Sequence, residues 1–323
     1  MSAVDPIESG EVFAFVPSYN HAPFVEKSVR SIIDQTLQPK KLLVIDDGSQ
    51  DGSPAIIEKV LNDCPFECEL VARENRGLSA TLNQAFGMSD GDHFAYLGSD
   101  DVWLPDFLRV RAELLAEQPD AVLAFGHAYL IDETDRVFDC TKDWARYHEG
   151  EALSNLLEAV VPVTSGVVFR RSALEGMRWN EDAALEDYEL YLRLARRGPF
   201  ASGDDVLVCW RKHAYNTSNE FAKMLDEWLA AQTAAAPDIG LDMARLRRAQ
   251  ARLRFLAVSI FLRHGDKRRA MACFRESWRS ARNPAELIDV IARLVTPGPM
   301  LRSLQNIRKN RQIEKYRSAA PKI

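Results

Sequence analysis

Hydrophobic and polar positions change rhythm along this chain. Up to about residue 120, short apolar runs alternate with amphipathic stretches. The run "VFAFV" (12–16) is apolar throughout, as a strand covered on both faces would be. In "FVEKSVRSIIDQ", Val25, Val29, Ile32 and Ile33 fall at helical spacing. "KLLVID" (41–46) predicts a second strand, and Ser53-Pro54 the start of a second helix, with serine as N-cap and proline in the first turn. "CELVA" (68–72) and "HFAYLG" (93–98) predict two further strands, separated by a helix in "LSATLNQAF" (78–86) and followed by one from about Leu104 to Glu117. Such alternation implies parallel strands joined by right-handed crossovers, hence an open α/β sheet.

Beyond Ala121 the pattern loosens. "AVLAFGHAYLID" and "RVFDC" predict a hairpin across "DETD", "EALSNLLEAV" a helix, and "SGVVFRR" a strand. "LEDYELYLRLARRG" is amphipathic at helical period, with Gly198 placed to stop it, and "VLVCWRKH" reads as a closing strand. From about Asn219 only helical patterns remain, near 219–235, 241–264, 266–282, 284–295 and 300–317, broken at "APDIG", "HGD", "RNP" and "TPGP". The expected organisation is a catalytic region over 1–218 and a helical region over 219–323.

Charge sharpens that division. The net charge is −6, but residues 1–239 carry 21 Lys/Arg against 41 Asp/Glu, whereas residues 240–323 carry 20 against 6. Such halves either meet different partners or pack on each other. The five cysteines (64, 68, 140, 209, 273) are scattered, which argues against a disulfide framework and for a reducing compartment. The opening residues lack a basic segment followed by an apolar one, so no signal peptide is expected. The longest apolar run, "FLAVSIFL", is far shorter than the roughly 20 residues that span a bilayer.

The candidate chemistry lies at predicted strand ends, where open α/β sheets bind ligands. "PSYNHAPF", "DDGSQDGS", "RENRG" and "SDD" follow the first four strands. Each alone is weak, and "DDGS" is a common turn. Together they argue for one cleft. No G-x-G-x-x-G follows the first strand and no phosphate-binding G-x-x-x-x-G-K-[ST] is present. Phosphate would then be held through a divalent cation on carboxylates, which gives the adjacent Asp100 and Asp101 a purpose. The competing explanation has one acid capping the next helix and the other in solvent. A carboxylate at a helix start, as in "EDYEL", can serve as a general base, or can merely favour the helix dipole.

The stretches "FVPSYNHAPFVEKSVRSIIDQTLQPKKLLVIDDGSQDGS", "NRGLSATLNQAF", "LGSDDVWLPDFL" and "EDYELYLRLARRG" closely resemble glycosyltransferase family 2 over about residues 11–215. The resemblance implies a GT-A (Rossmann-like) open mixed sheet flanked by helices, a nucleotide-diphosphate sugar donor and inversion at the anomeric carbon. It implies Pro17, Tyr19 and Asn20 against the base, Asp46 accepting from the base, Asp47 near the ribose, and Arg76 on base or phosphate. Asp100 stands in the DXD-type motif, with Asp101 the expected metal ligand for Mn²⁺ or Mg²⁺ and His213 a metal or phosphate contact. Trp103 and Glu186 would border the sugar and acceptor pocket, and Asp187 would be the base. Where relatives often read Asp-Ser-Asp-Asp, this chain has Gly98.

The remaining histidines, His21 included, show no partner pattern in the sequence. A UDP-sugar is the favoured donor, and a glycan or lipid-linked molecule of bacterial surface polysaccharide synthesis the expected acceptor. No nucleic-acid partner is expected. The basic C-terminal tail, with Met300, Leu301, Leu304 and Ile307 on one side, suits an anionic bilayer or the protein's own acidic region. The expected location is cytoplasmic, peripheral to the inner face of the membrane. A sugar-phosphate nucleotidyltransferase is disfavoured because "PSYNHAPF" contains no glycine. A non-catalytic sugar-nucleotide-binding or scaffolding protein of this fold is the alternative.

Overall fold

Alternate residues of a strand point to opposite faces, and the first strand uses this twice over. In β1 (Val12–Ser18), Phe13 and Phe15 enter one hydrophobic core while Val12, Ala14 and Val16 enter another. In β2 (Lys41–Asp46), Leu43 and Ile45 join the first core, Leu42 and Val44 the second. Both strands are therefore central, with helices on either side. Full burial of each large apolar side chain contributes about 1.5–3 kcal/mol.

The computed structural model describes residues 12–148, 150–183, 185–213 and 221–316. The expected boundary at 218/219 and the N-terminal residues read for a signal peptide lie outside the described residues. The sheet comprises nine strands in the order β3-β2-β1-β4-β8-β6-β9-β5, with β7 beside β6. β3 (Glu67–Ala72), β2, β1 and β4 (His93–Tyr96) are mutually parallel, linked through α1 (Val25–Ile33), α2 (Ser53–Leu61) and α3 (Leu78–Met88).

The sheet becomes mixed at β8 (Val168–Arg170), which runs antiparallel to β4 and to β6 (Leu123–Ile131). β6 pairs antiparallel with β7 (Val137–Cys140) as the expected hairpin, and parallel with the long β9 (Phe200–Arg211). The helix expected from Leu104 begins later. Val102–Trp103 form the short β5 against β9, Pro105 intervenes, and α4 spans Phe107–Glu117. The segment expected as one helix over 151–160 is shorter, α5 (Ala152–Leu157), because the chain turns at Ala159 with φ of 59°. After α6 (Arg171–Leu174), α7 spans Glu186–Leu194.

The C-terminal helices are α8 (Phe221–Ala235), α9 (Met243–Arg263), α10 (Lys267–Ser277), α11 (Pro284–Val295) and α12 (Gly298–Tyr316). Their starts follow from sequence. The side chains of Asp242, Asp266 and Asn283 accept from the first free backbone N–H groups of α9, α10 and α11. Ala235, Ala236, Ile239, Leu241 and Leu246 share the first sheet core with Tyr188 and Leu190 of α7. The buried Gln232 donates to the Tyr188 hydroxyl at 2.9 Å, and that hydroxyl donates to the Leu156 carbonyl at 3.0 Å. The helical region thus holds α7 in place through the residue next to Asp187.

Candidate active site

Because β1, β2 and β4 are parallel, their C-terminal ends and the loops after them open on one edge. Asn20, in the left-handed region at φ 53°, stitches two of these loops. Its backbone N–H donates to Ser49 Oγ at 2.8 Å, and its side-chain oxygen accepts from the Gln50 N–H at 2.8 Å. Tyr19 is exposed beside it, and Pro17 is half-buried near the end of β1. Asp46 accepts from Ser18 Oγ (3.1 Å), the Ser49 N–H (2.8 Å) and Ser49 Oγ (2.7 Å). Asp47 accepts from the N–H groups of Arg76 (2.9 Å) and Gly77 (2.8 Å) and pairs with Arg73 at 2.7 Å. Both carboxylates are buried. They therefore have a loop-fixing role that the sequence did not reveal. The Arg76 side chain is exposed.

The adjacent acids after β4 diverge. Asp100 Oδ2 lies 2.9 Å from His213 Nε2, and Oδ1 lies 4.0 Å from His21 Nδ1. His21 Nδ1 also meets Ser99 Oγ at 2.8 Å. The ring of His213 stacks on Phe24 at 5.3 Å and meets His21 edge-on at 5.5 Å. Among the described residues, His21, Asp100 and His213 form a group whose ligand atoms all lie within 4.8 Å of one another. Burial pushes the His21 imidazole down, against the opposing pull of Asp100. For Asp100, burial is outweighed by the His213 hydrogen bond and the charges of both imidazoles, and its carboxyl sits below the usual range.

Asp101, the metal ligand expected from the sequence, turns inward. Its Oδ1 accepts from the Arg211 N–H at 2.8 Å and its Oδ2 from the Ser165 hydroxyl. Burial first and the Asp100 charge second push its carboxyl well up. Arg211 completes the brace. It donates to the Asp100 carbonyl (2.7 Å) and the Asp132 carbonyl (2.9 Å), and pairs with Asp135 at 2.6 Å. Trp103, expected beside the sugar and acceptor pocket, is likewise turned inward. Its ring is buried, stacks on Phe107 at 4.3 Å and donates from Nε1 to the Ser165 carbonyl at 2.5 Å.

Gly98 has a local cause. A Cβ there would lie 2.9 Å from Asp100 Oδ1, 3.3 Å from Asp101 Oδ2 and 3.4 Å from Ser165 Oγ. In this chain the backbone at Gly98 comes close to the acid pair, and its N–H donates to Ser165 Oγ at 3.2 Å.

A second acid pair opens α7. Asp187 Oδ2 accepts from the Thr164 hydroxyl, and Oδ1 from the Tyr188 N–H at 2.6 Å. Burial raises the Asp187 carboxyl, and burial with the Asp187 charge pushes Glu186 up to about 8. The phenols of Tyr96 and Tyr191 are also pushed well up by burial, with contributions from both acids, so they remain protonated beside the pair. Thr164 and Ser165 are consecutive, in a tight turn spanning Thr164–Gly166. One turn therefore ties Asp187 to the Asp100–Asp101 loop, with one hydroxyl for each acid pair. Sequence reasoning singled out neither hydroxyl nor His21. The available sign for the first was "TS" directly before an apolar strand; a lone histidine offered none.

Comparisons with known proteins bear on the family and the fold. The family model described as glycosyl transferase family 2 matches residues 13–178, half of the chain. An uncharacterised glycosyltransferase of Nostoc sp. is 28% identical over 174 residues, covering 51% of this chain and 52% of its own length. The putative glycosyltransferase EpsH of Bacillus subtilis is 24% identical over 221 residues, covering 67% of this chain and 60% of its own. The chain thus spans only about half to three-fifths of these relatives.

Among solved structures, the mannosyltransferase PcManGT from Pyrobaculum calidifontis, in complex with GDP-Man and Mn²⁺, matches with a TM-score of 0.63 at 18% identity, over 97% of this chain and 88% of that one. S. aureus TarS in complex with UDP-GlcNAc matches with a TM-score of 0.60 at 15% identity, over 95% and 91%. The mixed sheet and flanking helices are those of the GT-A fold. With the family model covering the sheet from β1 through β8, the chain belongs to glycosyl transferase family 2.

Proposed function

We propose that this chain is an inverting glycosyltransferase that moves a sugar from a nucleotide-diphosphate donor to an acceptor hydroxyl, with a divalent cation at Asp100. The observation that carries the reading is the Thr164–Ser165 turn, which binds the half-buried carboxylate of Asp187 to the loop of the Asp100–His21–His213 group. The two imidazoles and one carboxylate would hold the cation, a mixed donor set that suits Mn²⁺ better than Mg²⁺. When bound, the cation would neutralise charge on the departing diphosphate.

The chain's own residues supply the rest. Tyr19, with Pro17 and Asn20, offers a flat edge for the base. Arg76, exposed on a loop pinned by Asp47, is placed to reach base or phosphate. Asp187 takes the proton from the acceptor hydroxyl as that oxygen attacks the anomeric carbon from the face opposite the leaving diphosphate. Its Thr164 and Tyr188 donors fix the carboxylate's orientation. Bound GDP-Man and UDP-GlcNAc in the two solved neighbours leave both uridine and guanosine donors for trial; a UDP-sugar is favoured. A glycan or lipid-linked acceptor of bacterial surface polysaccharide fits the reading.

The test is turnover of a panel of nucleotide sugars, with and without Mn²⁺, followed by determination of product anomeric configuration. Cation-dependent release of nucleoside diphosphate with inversion is expected. Tight donor binding without turnover against any glycan or lipid-linked acceptor would instead favour the non-catalytic alternative.

The pH dependence follows from the second acid pair. Asp187 must be unprotonated to act as base, and its folded-state carboxyl is raised, so kcat/KM should climb with pH along a limb that lies above the ordinary carboxylate range. Burial is what raises Asp187, whereas Glu186 is the member that its neighbour's charge raises. Glu186→Gln should therefore leave the rising limb where it is, whatever the change in the plateau. A limb that moves to lower pH, measured with saturating Mn²⁺, would show that the charge of Glu186 controls the base.

A further inference from the structure

The outer faces of α11 and α12 are unusual for a soluble surface. On α11, Ile288, Ile291 and Val295 are 65%, 41% and 74% exposed, at positions i, i+3 and i+7 of one stripe. On α12, Met300, Leu304 and Ile307 are 58%, 52% and 49% exposed, again one stripe. The same two helices send Val290, Leu294 and Leu301 into the helical core with Phe255, Val258 and Phe261 of α9. Their inward residues are thus accounted for, and six further aliphatic side chains are presented outward. Singly scattered apolar residues are ordinary on a surface, but grouped stripes mark an interaction site.

Charge identifies the partner. The segment from residue 240 onward carries 20 Lys/Arg against 6 Asp/Glu, and the sequence of α12 includes Arg302, Arg308, Lys309 and Arg311. A second copy of this chain would bring two such cationic regions together. A nucleic acid would find aliphatic stripes where stacking needs aromatic rings. An anionic bilayer matches both properties at once, aliphatic side chains entering the headgroup boundary and cations meeting lipid phosphates. Among the described residues no helix is long and apolar enough to cross a membrane, so the contact would be at its surface.

The last turn of α12 is not the contact. Lys315 and the Tyr316 hydroxyl bind Asp143 at 2.6 and 2.7 Å, Gln312 binds Asp139 at 2.9 Å, and Tyr316 is buried beside Val102 and Cys209. Of the four residues expected on the apolar side of the tail, Leu301 is buried. We infer that the outer stripes of α11 and α12 dock this protein on the surface of an anionic phospholipid bilayer. This does not depend on the donor or on the catalytic assignment.

The experiment is flotation of the full chain with vesicles of phosphatidylglycerol and phosphatidylcholine, and with phosphatidylcholine alone, at low and high salt. The variant Ile288→Ser/Val295→Ser/Leu304→Ser changes three exposed side chains, and Ile291→Ser/Met300→Ser is a second, independent one. The native chain should float with the anionic vesicles and less so at high salt. Each variant should bind at least about tenfold more weakly, with unchanged melting temperature. Equal flotation of native chain and both variants, or none with anionic vesicles, would overturn the inference. So would a concentration-dependent dimer that the variants abolish.

Discussion

Asp187→Asn should bind donor as the native chain does and turn over about 10²–10⁴-fold more slowly. The asparagine amide has nearly the carboxylate's shape; its one oxygen can still accept from the Tyr188 N–H, and its NH2 can donate to the Thr164 hydroxyl, which then accepts instead of donating. What the amide lacks is the capacity to take a proton. It also removes a half-buried charge next to Glu186, whose carboxyl is raised by burial and by Asp187, so the fold should not weaken. Donor affinity by calorimetry and kcat with a turned-over donor separate the two effects. A kcat close to native would sink the assignment of Asp187 and turn attention to Glu186. A parallel loss of donor affinity would instead mean that the carboxylate binds the sugar.

The alternation of short apolar runs with helical stretches placed β1 to β4 and their parallel order, because buried central strands are apolar on both faces and have no other plausible home. The mixed half was harder to read. β8 spans three residues and β5 two, too short for a period-two pattern to stand out. The site shows a similar split. Acidic and hydroxyl residues at strand ends could be picked out from sequence, since turn chemistry and helix starts are local. The direction in which each side chain points could not.

Asp100 and Asp101 are neighbours in the chain, yet one faces the two histidines and the other the Arg211 backbone and Ser165. Asp46 and Asp47 stand at one strand end, and both are taken up by loop donors, some nearly 30 residues distant in sequence. His21 carries no spacing pattern at all. It meets Asp100 and His213 only because β1, β4 and β9 end near one another, a tertiary fact. Trp103 follows the acid pair in sequence, as a pocket wall would, but its ring packs on Phe107 in the second core.

The divergence of the acid pair yields the second large effect. Asp100→Ala removes the carboxylate that lies between two imidazoles, and the remaining pair of histidines is a poor site for Mn²⁺. Cation affinity should fall by at least about 100-fold, since second-shell losses alone commonly reach 10–100-fold. Asp100→Ala also takes the carboxylate from the buried His213 ring, so some stability is lost with the cation site. Asp101→Ala should act chiefly on stability. It leaves the Ser165 hydroxyl and the Arg211 N–H in the interior without the acceptor they now have, at about 1–3 kcal/mol for each buried group left unsatisfied.

The melting temperature of Asp101→Ala should therefore drop by several degrees (about 2–4 °C per kcal/mol for a chain of this size or somewhat smaller). Cation binding in the folded fraction should be weakened only through the slackened loop. Mn²⁺ titration followed by relaxation enhancement of water protons reads binding without any need for turnover, and calorimetric melting reads stability. If Asp101→Ala abolishes Mn²⁺ binding at native melting temperature while Asp100→Ala keeps it, the inward carboxylate must rotate to meet the cation. The ligand set would then be the one expected from the sequence motif rather than the one gathered around His21.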